Sequence, residues 1–123
     1  MIVVVAPSSP VSGEYLTEIL CNAGYTVKVT PADIAARPLS EMQLVILVSS
    51  ACSSRLEKIC NVCSQIRINA PKLPIIIVGP DDADAKVRLF ELGADDYIVE
   101  PFDHLELFAR VKSLIRRRRF GFL

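Results

Sequence analysis

The chain has 123 residues, of which 51% are hydrophobic and 23% are charged, and its formal net charge is zero. This length suits one domain with one core, and the hydrophobic content excludes an intrinsically disordered segment. Zero net charge argues against non-specific nucleic-acid binding, and no apolar run approaches the roughly 20 residues that span a bilayer. The start of the chain lacks the features of a signal peptide, so we expect a cytoplasmic protein without a membrane partner and with reduced thiols.

Short apolar runs alternate along the chain with segments of helical period. The predicted strands are residues 2–5, 25–30, 44–48, 74–78 and 96–99. The predicted helices are residues 11–23, 31–36, 53–68, 81–92 and 101–119, with Tyr15 and Leu105 among the side chains expected to face inward. Strands that are apolar throughout are buried on both faces, and strands that alternate with helices run parallel. The pattern therefore predicts an α/β fold with three layers, built from about five strand–helix units.

The segment Leu92–Phe102, which reads LGADDYIVEPF, resembles the end of bacterial response-regulator receiver domains. The usual form in that family is GADDY followed by KPF. The resemblance covers essentially the whole chain, and it is closest to the OmpR/PhoB-type subfamily of transcription factors. It implies a flavodoxin-like, doubly wound (βα)5 fold with strand order 2-1-3-4-5. We expect residues 1–119 to form this receiver-like domain, and residues 120–123 to begin a linker or end the fragment.

The phosphorylation site of the receiver family is replaced at every position that the resemblance identifies. In the family, two acidic residues bind Mg²⁺, an aspartate accepts the phosphoryl group, and a hydroxyl residue and a lysine contact it. The corresponding positions here are Ala6, Pro7, Val48, Gly79 and Glu100. Magnesium requires oxygen ligands, and phosphoryl transfer requires a nucleophile and groups that stabilise negative charge. We therefore expect an atypical, phosphorylation-independent receiver with no magnesium, no other metal or cofactor, no catalytic residue and no enzymatic activity.

Residues 81–123 carry 8 Lys or Arg and 9 Asp or Glu, a dense cluster that is balanced in sign. Receivers of the OmpR/PhoB type form homodimers through the fourth helix, fifth strand and fifth helix, here residues 81–92, 96–99 and 101–119. The resemblance implies pairings between subunits of Lys86 with Glu106, Asp96 with Arg110, Glu91 with Lys112, and Arg117 with Asp95. The simpler interpretation is a solvated helix surface with local pairs such as Glu106–Arg110.

Two features near the replaced site follow the family pattern. Tyr97 occupies the position of an aromatic residue that family members rotate on activation, although it is also compatible with a partly buried aromatic on a short strand. The bond between Glu100 and Pro101 is expected to be cis, as is common at this position in the family.

The cysteines allow a second interpretation of the function of the chain. Cys60 and Cys63 form a CxxC on the apolar side of a helix, which favours buried thiols over a metal site, because structural zinc normally needs four ligands. A redox pair between one of them and Cys52 is the alternative. The competing functional hypothesis is therefore a receiver fold that senses a small ligand or thiol oxidation at the strand ends.

Three other segments carry weaker signals. The loop at residues 6–13 is hydroxyl-rich like a flavin phosphate loop, but Pro7 and Pro10 remove two backbone donors. The run Arg116–Arg119 suits a helix C-terminus and is weak evidence for DNA contact. In a transcription factor of this type, DNA would be bound only by a downstream winged-helix domain absent from this chain. His104 is expected to be an ordinary surface residue.

Overall fold

The structure, a computed structural model, describes residues 1–5, 10–30, 39–49 and 53–119. The strands are β1 (Ile2–Val5), β2 (Val27–Thr30), β3 (Leu44–Val48), β4 (Ile75–Gly79) and β5 (Asp96–Val99). The helices are α1 (Pro10–Asn22), α2 (Ser53–Asn69), α3 (Ala83–Glu91) and α4 (His104–Arg119), and a 3-10 turn at Leu39–Glu41 precedes β3. The short helix predicted over residues 31–36 lies outside the described residues.

The five strands form one parallel sheet in the order β2-β1-β3-β4-β5, which confirms the predicted order 2-1-3-4-5. The strands begin at one edge of this sheet and end at the other. Val48 at the end of β3 pairs with Val78, and Gly79 at the end of β4 pairs with Val99. The segments that follow β3, β4 and β5 therefore leave the sheet at the same edge.

The core has two halves, one on each face of the sheet. On one face, alternate residues of β1, β3 and β4 pack against α2 and α3 through Ile59, Ile66 and Leu89. On the other face, the intervening residues pack against α1 and α4 through Leu16 and Leu107. Every residue of β1, β3 and β4 is buried, as continuous apolar runs predict.

Local hydrogen bonds set where the helices begin, and two predicted starts were early. Helix α3 begins at Ala83 because Asp82 caps it, and the Asp82 side chain accepts a hydrogen bond from the amide of Ala85 at 3.2 Å. Helix α4 begins at His104, and Asp103 Oδ1 accepts from the amide of Leu105 at 2.8 Å. The Glu100–Pro101 peptide bond before it is cis, as expected.

Two side chains predicted to face the core do not. Leu105 is 74% exposed and Tyr15 is 44% exposed. The buried stripe of α4 instead runs through Leu107, Val111 and Leu114, which follow the three- and four-residue spacing of a helical face. Leu105 lies two residues before this stripe and therefore faces away from the sheet. Tyr15 adjoins the buried Leu16 at the edge of the inward face of α1.

Candidate functional site at the carboxyl ends of the strands

At the carboxyl edge of the sheet, where ligand chemistry occurs in open parallel α/β folds, β3 ends in a buried apolar side chain. Val48 is 4% exposed and belongs to the buried cluster on the α1–α4 face of the sheet. The next residue, Ser49, is also buried, and its amide donates to the carbonyl of Val78 at 2.8 Å. Ala6 and Pro7, predicted at the end of β1, lie outside the described residues.

Tyr97 on β5 extends toward the end of β4. Its hydroxyl donates to the carbonyl oxygen of Pro80 at 2.6 Å, and the ammonium of Lys86 lies 5.7 Å from the centre of its ring. Burial, and then the nearby acidic side chains of Asp82, Glu100 and Asp81, raise the pKa of Tyr97 to about 12. The phenol is therefore a neutral hydrogen-bond donor at physiological pH, and the Tyr97 side chain is partly buried.

Gly79 provides the space that Tyr97 occupies. A Cβ atom added at Gly79 would lie 2.7 Å from the Tyr97 hydroxyl oxygen and 3.1 Å from Cβ of Ser49. Contacts between a Cβ and another heavy atom below 3.0 Å essentially do not occur in proteins. The present position of Tyr97 therefore depends on residue 79 having no side chain.

Glu100 follows β5 at the same edge and places a carboxyl group there. Its amide donates to the carbonyl of Gly79 at 2.8 Å, which fixes the backbone beside the end of β4. Its side chain forms no ion pair with any other described residue. Burial by its neighbours raises the pKa of Glu100, because desolvation penalises the charged form.

An aromatic cluster beside this edge was not predicted from the sequence. The rings of Tyr15 and Phe102 lie 6.1 Å apart, and the ring of His104 lies 5.5 Å from that of Tyr15. The Tyr15 hydroxyl also forms a hydrogen bond with Nε2 of His104, so His104 is exposed as expected but does have a partner. Tyr15 lies on α1, Phe102 lies in the connection between β5 and α4, and His104 is the first residue of α4, so only the tertiary fold brings the three rings together.

The charged residues predicted on one surface lie on α3, β5 and α4, and several of them pair within the subunit. Arg110 contacts Asp96 at 3.2 Å and Glu106 at 3.7 Å. Arg67 of α2 contacts Asp95 at 3.0 Å. The Asp96–Arg110 pair, implied between two subunits by the resemblance, thus also forms inside one subunit.

Other members of this surface have no internal partner or a different one. Lys86 contacts Asp81 at 2.9 Å. Glu91, Lys112 and Arg117 are exposed and form no ion pair with a described residue. A shallow cavity of about 130 Å³ brings Arg117 beside Asp95, Asp96 and Arg110, together with Ser113 and Leu114. Exposed apolar side chains lie on the same helix as Lys86 and Glu91: Val87 is 58% exposed and Phe90 is 46% exposed.

The two cysteines of the CxxC are free and buried. Desolvation raises the pKa of the Cys60 thiol and raises that of Cys63 to about 11. A thiol with so high a pKa is a poor nucleophile near neutral pH, because the thiolate is the reactive form. Cys52, the proposed redox partner, lies outside the described residues. Across the described parts of the chain, no three His, Cys, Asp or Glu side chains are grouped to hold a metal ion.

Comparison with known proteins identifies relatives that are transcriptional regulators, and solved structures with the same fold. No protein-family model matches the chain. The transcriptional activator protein IrlR of Burkholderia pseudomallei is 30% identical over 118 residues, which is 95% of this chain and 51% of IrlR. The TorCAD operon transcriptional regulatory protein TorR of Escherichia coli K12 is 29% identical over 115 residues. The chain spans about half the length of these curated relatives.

Among solved structures, a putative response regulator from Chloroflexus aurantiacus superposes with a TM-score of 0.74 at 26% identity, covering 94% of this chain and 97% of the other. No helix within the described residues is long and apolar enough to cross a bilayer.

Proposed function

Because this chain is a receiver domain of the response-regulator family, related to OmpR/PhoB-type regulators, we propose that it works without phosphorylation. Its role is that of a homodimerisation and regulatory interaction module of a transcription factor, whose DNA-binding domain would lie outside this chain. The observation that carries the proposal is the burial of Val48 in the apolar core, at the position where the family has its phosphoryl acceptor. A valine side chain offers no atom that accepts a phosphoryl group.

The charge at this edge supports the same conclusion. Phosphoryl transfer is catalysed mainly by positioning and by cations that neutralise the spreading negative charge. Where the family has a lysine, Glu100 instead places a carboxyl group without a paired cation among the described residues. An ionised Glu100 would repel a phosphate, and a neutral Glu100 would supply no positive charge.

The contact between Tyr97 and Gly79 provides a mechanism for a fixed conformation. A receiver that switches needs two positions for its aromatic residue and a signal that favours one of them. Here the Tyr97 hydroxyl is held by Pro80 in space that any side chain at residue 79 would occupy. We propose that this packing holds the domain in one state, so that its dimerisation is constitutive.

The dimer surface in this proposal comprises α3, β5 and α4. Apolar Val87 and Phe90 are exposed on α3, and Glu91 on the same helix and Lys112 on α4 have no ion-pair partner among the described residues. An isologous dimer places each such residue opposite a partner related by the two-fold axis. The Arg110 side chain is 50% exposed and that of Asp96 is 18% exposed in the pair within a subunit, so exchange for the same pair between subunits replaces one ion pair by an equivalent one.

Charge reversal and complementation test the dimer directly. Arg110→Glu and Asp96→Arg are each expected to shift the chain to monomer in sedimentation velocity, since each homodimer would then contain like charges in contact. An equimolar mixture of the two variants should recover a dimer. In the mixed dimer the introduced arginine faces the introduced glutamate, and the native Asp96 of one subunit faces the native Arg110 of the other. Lys28→Glu should leave the dimer unchanged, because Lys28 lies on β2, the edge strand of the sheet that is farthest from β5.

The mixture separates pairing between subunits from pairing within one. If Asp96 and Arg110 act only inside a subunit, mixing the variants has no effect on sedimentation. If both variants remain dimeric, the dimer does not use this surface. Incubation of the unmodified chain with acetyl phosphate and Mg²⁺ should add no phosphate in intact-mass spectrometry, and a labelled chain would contradict the phosphorylation-independent role.

A further inference from the structure

A cavity opens between α1 and the connection from β5 to α4. Its volume is about 210 Å³, and the described residues that line it are Tyr15, Leu16, Val78, Glu100, Pro101 and Phe102. That is the space of about seven water molecules at roughly 30 Å³ each, and it is below the roughly 300 Å³ at which pockets for drug-sized ligands begin. The cavity therefore suits a small molecule with few non-hydrogen atoms.

The wall of the cavity is mainly apolar and aromatic. Leu16, Val78 and Pro101 supply aliphatic surface, and the rings of Tyr15 and Phe102 lie 6.1 Å apart. The hydrogen bond between the Tyr15 hydroxyl and His104 restrains the Tyr15 ring. Faces of aromatic rings carry partial negative charge and attract cations, including those with methylated ammonium groups.

Glu100 is the charged side chain among the lining residues, and it has no ion-pair partner among the described residues. The Glu100 amide donates to the carbonyl of Gly79, which fixes the backbone of residue 100 beside the cavity. Glu100 is exposed overall, and the partial burial of its side chain raises its pKa above the ordinary value. A cation in the cavity would supply the missing counter-charge.

We propose that this cavity binds a small organic cation with an alkylammonium or quaternary ammonium head group. The Glu100 carboxylate supplies the counter-charge, and the rings of Tyr15 and Phe102 contact the carbon atoms around the nitrogen. Magnesium or calcium does not fit the described lining, because these ions require several oxygen ligands and Glu100 is the one carboxylate among those residues. Anions are disfavoured by the same carboxylate. The proposal is independent of the dimer.

The test uses the 123-residue chain and choline chloride as the probe, titrated by isothermal calorimetry at constant total chloride. The matched ligand is 3,3-dimethylbutan-1-ol, in which carbon replaces the quaternary nitrogen at the same size and shape. Choline is expected to bind with a dissociation constant in the millimolar range, and the neutral alcohol at least about tenfold more weakly. Glu100→Gln should weaken choline binding about tenfold and leave the binding of the alcohol unchanged.

Two further variants keep the test decisive. Glu41→Gln removes an exposed carboxylate at the opposite edge of the sheet and should bind choline like the unmodified chain. Tyr15→Leu keeps an apolar side chain but removes the aromatic ring, and it should weaken choline binding several-fold. It serves as the test if circular dichroism shows that Glu100→Gln does not fold. Equal binding of choline and the alcohol, no binding of choline, or an affinity unaffected by Glu100→Gln and Tyr15→Leu would overturn the proposal.

Discussion

The hydroxyl oxygen of Tyr97 lies where the side chain of residue 79 would begin, 2.7 Å from the position of a Cβ on Gly79. The same hydroxyl donates to the carbonyl of Pro80, the residue that follows Gly79. The missing side chain at residue 79 and the placement of the tyrosine are therefore parts of one arrangement. It follows that Gly79 and Tyr97 must be tested together.

Gly79→Ala is expected to displace Tyr97 and to lower the free energy of unfolding by roughly 1–3 kcal/mol, because a methyl group is forced into a filled space. Urea denaturation measures the loss, and the Tyr97 ring resonances should shift in NMR spectra. Tyr97→Phe is the matched background, since it removes only the oxygen atom that the new Cβ would meet. In the Tyr97→Phe background, Gly79→Ala should lower the free energy of unfolding by about 1 kcal/mol less than it does in the unmodified chain. An equal cost in both backgrounds would show that the contact does not restrain Tyr97.

Val48→Asp is expected to destabilise the domain without restoring phosphorylation. Residue 48 is 4% exposed within an apolar cluster, so an aspartate there would be buried without a described partner. We expect a loss of roughly 2–4 kcal/mol in the free energy of unfolding and no mass increase after treatment with acetyl phosphate and Mg²⁺. Val48→Ala separates the effect of the lost volume from that of the carboxyl group. A stable, labelled Val48→Asp variant would contradict the view that the site cannot support the chemistry.

The sheet was predictable because its signal is local. Continuous apolar runs such as Ile2–Val5 and Leu44–Val48 leave few alternatives to buried parallel strands, and the strand order came from the resemblance around Leu92–Phe102. Helix starts were less predictable. A capping side chain decides them, and Asp103 competes with the earlier Pro101 as the point at which α4 begins.

The site was only partly predictable. The identity of Val48 or Glu100 is visible in the sequence, but the cavity between Tyr15 and Phe102 depends on how α1 meets the start of α4. Helical period placed Tyr15 on the inward face, because period alone cannot separate a side chain at the edge of that face from one at its centre. The ion pair of Asp95 with Arg67 was likewise not predictable, because the two residues are 28 positions apart along the chain.

Arg67 is expected to be a strong contributor to stability. Its guanidinium donates to the carbonyl of Gly93 through Nε at 3.1 Å and to that of Leu73 through Nη1 at 3.0 Å, and it pairs with Asp95. Arg67→Met would leave these carbonyls without their donor and should lower the free energy of unfolding by roughly 2–4 kcal/mol.

Two other variants test this role of Arg67 by thermal and urea denaturation. Arg67→Lys should recover only part of the loss, because an ammonium group cannot reproduce the planar fork of donors. The exposed Arg88, which pairs with Glu57, is the matched control, and Arg88→Met should leave the unfolding midpoint almost unchanged. Similar losses for Arg67→Met and Arg88→Met would show that the carbonyl contacts of Arg67 add nothing beyond an ordinary surface charge.

Cys63 should make the domain less stable at alkaline pH. Burial raises the pKa of its thiol from 9.0 to about 11, whereas the thiol of the unfolded chain ionises near its ordinary value. A group whose pKa is raised on folding contributes stability that is complete below the unfolded pKa and is lost as pH rises through the folded one. The free energy of unfolding should therefore fall between about pH 9 and pH 11, and urea titrations at fixed pH measure it.

Cys63→Ala is the control variant, and its free energy of unfolding should fall less steeply over the same pH range. The raised pKa of Tyr97 affects both proteins equally. Identical pH profiles for the two proteins would mean that the Cys63 thiol does not ionise on unfolding in this range.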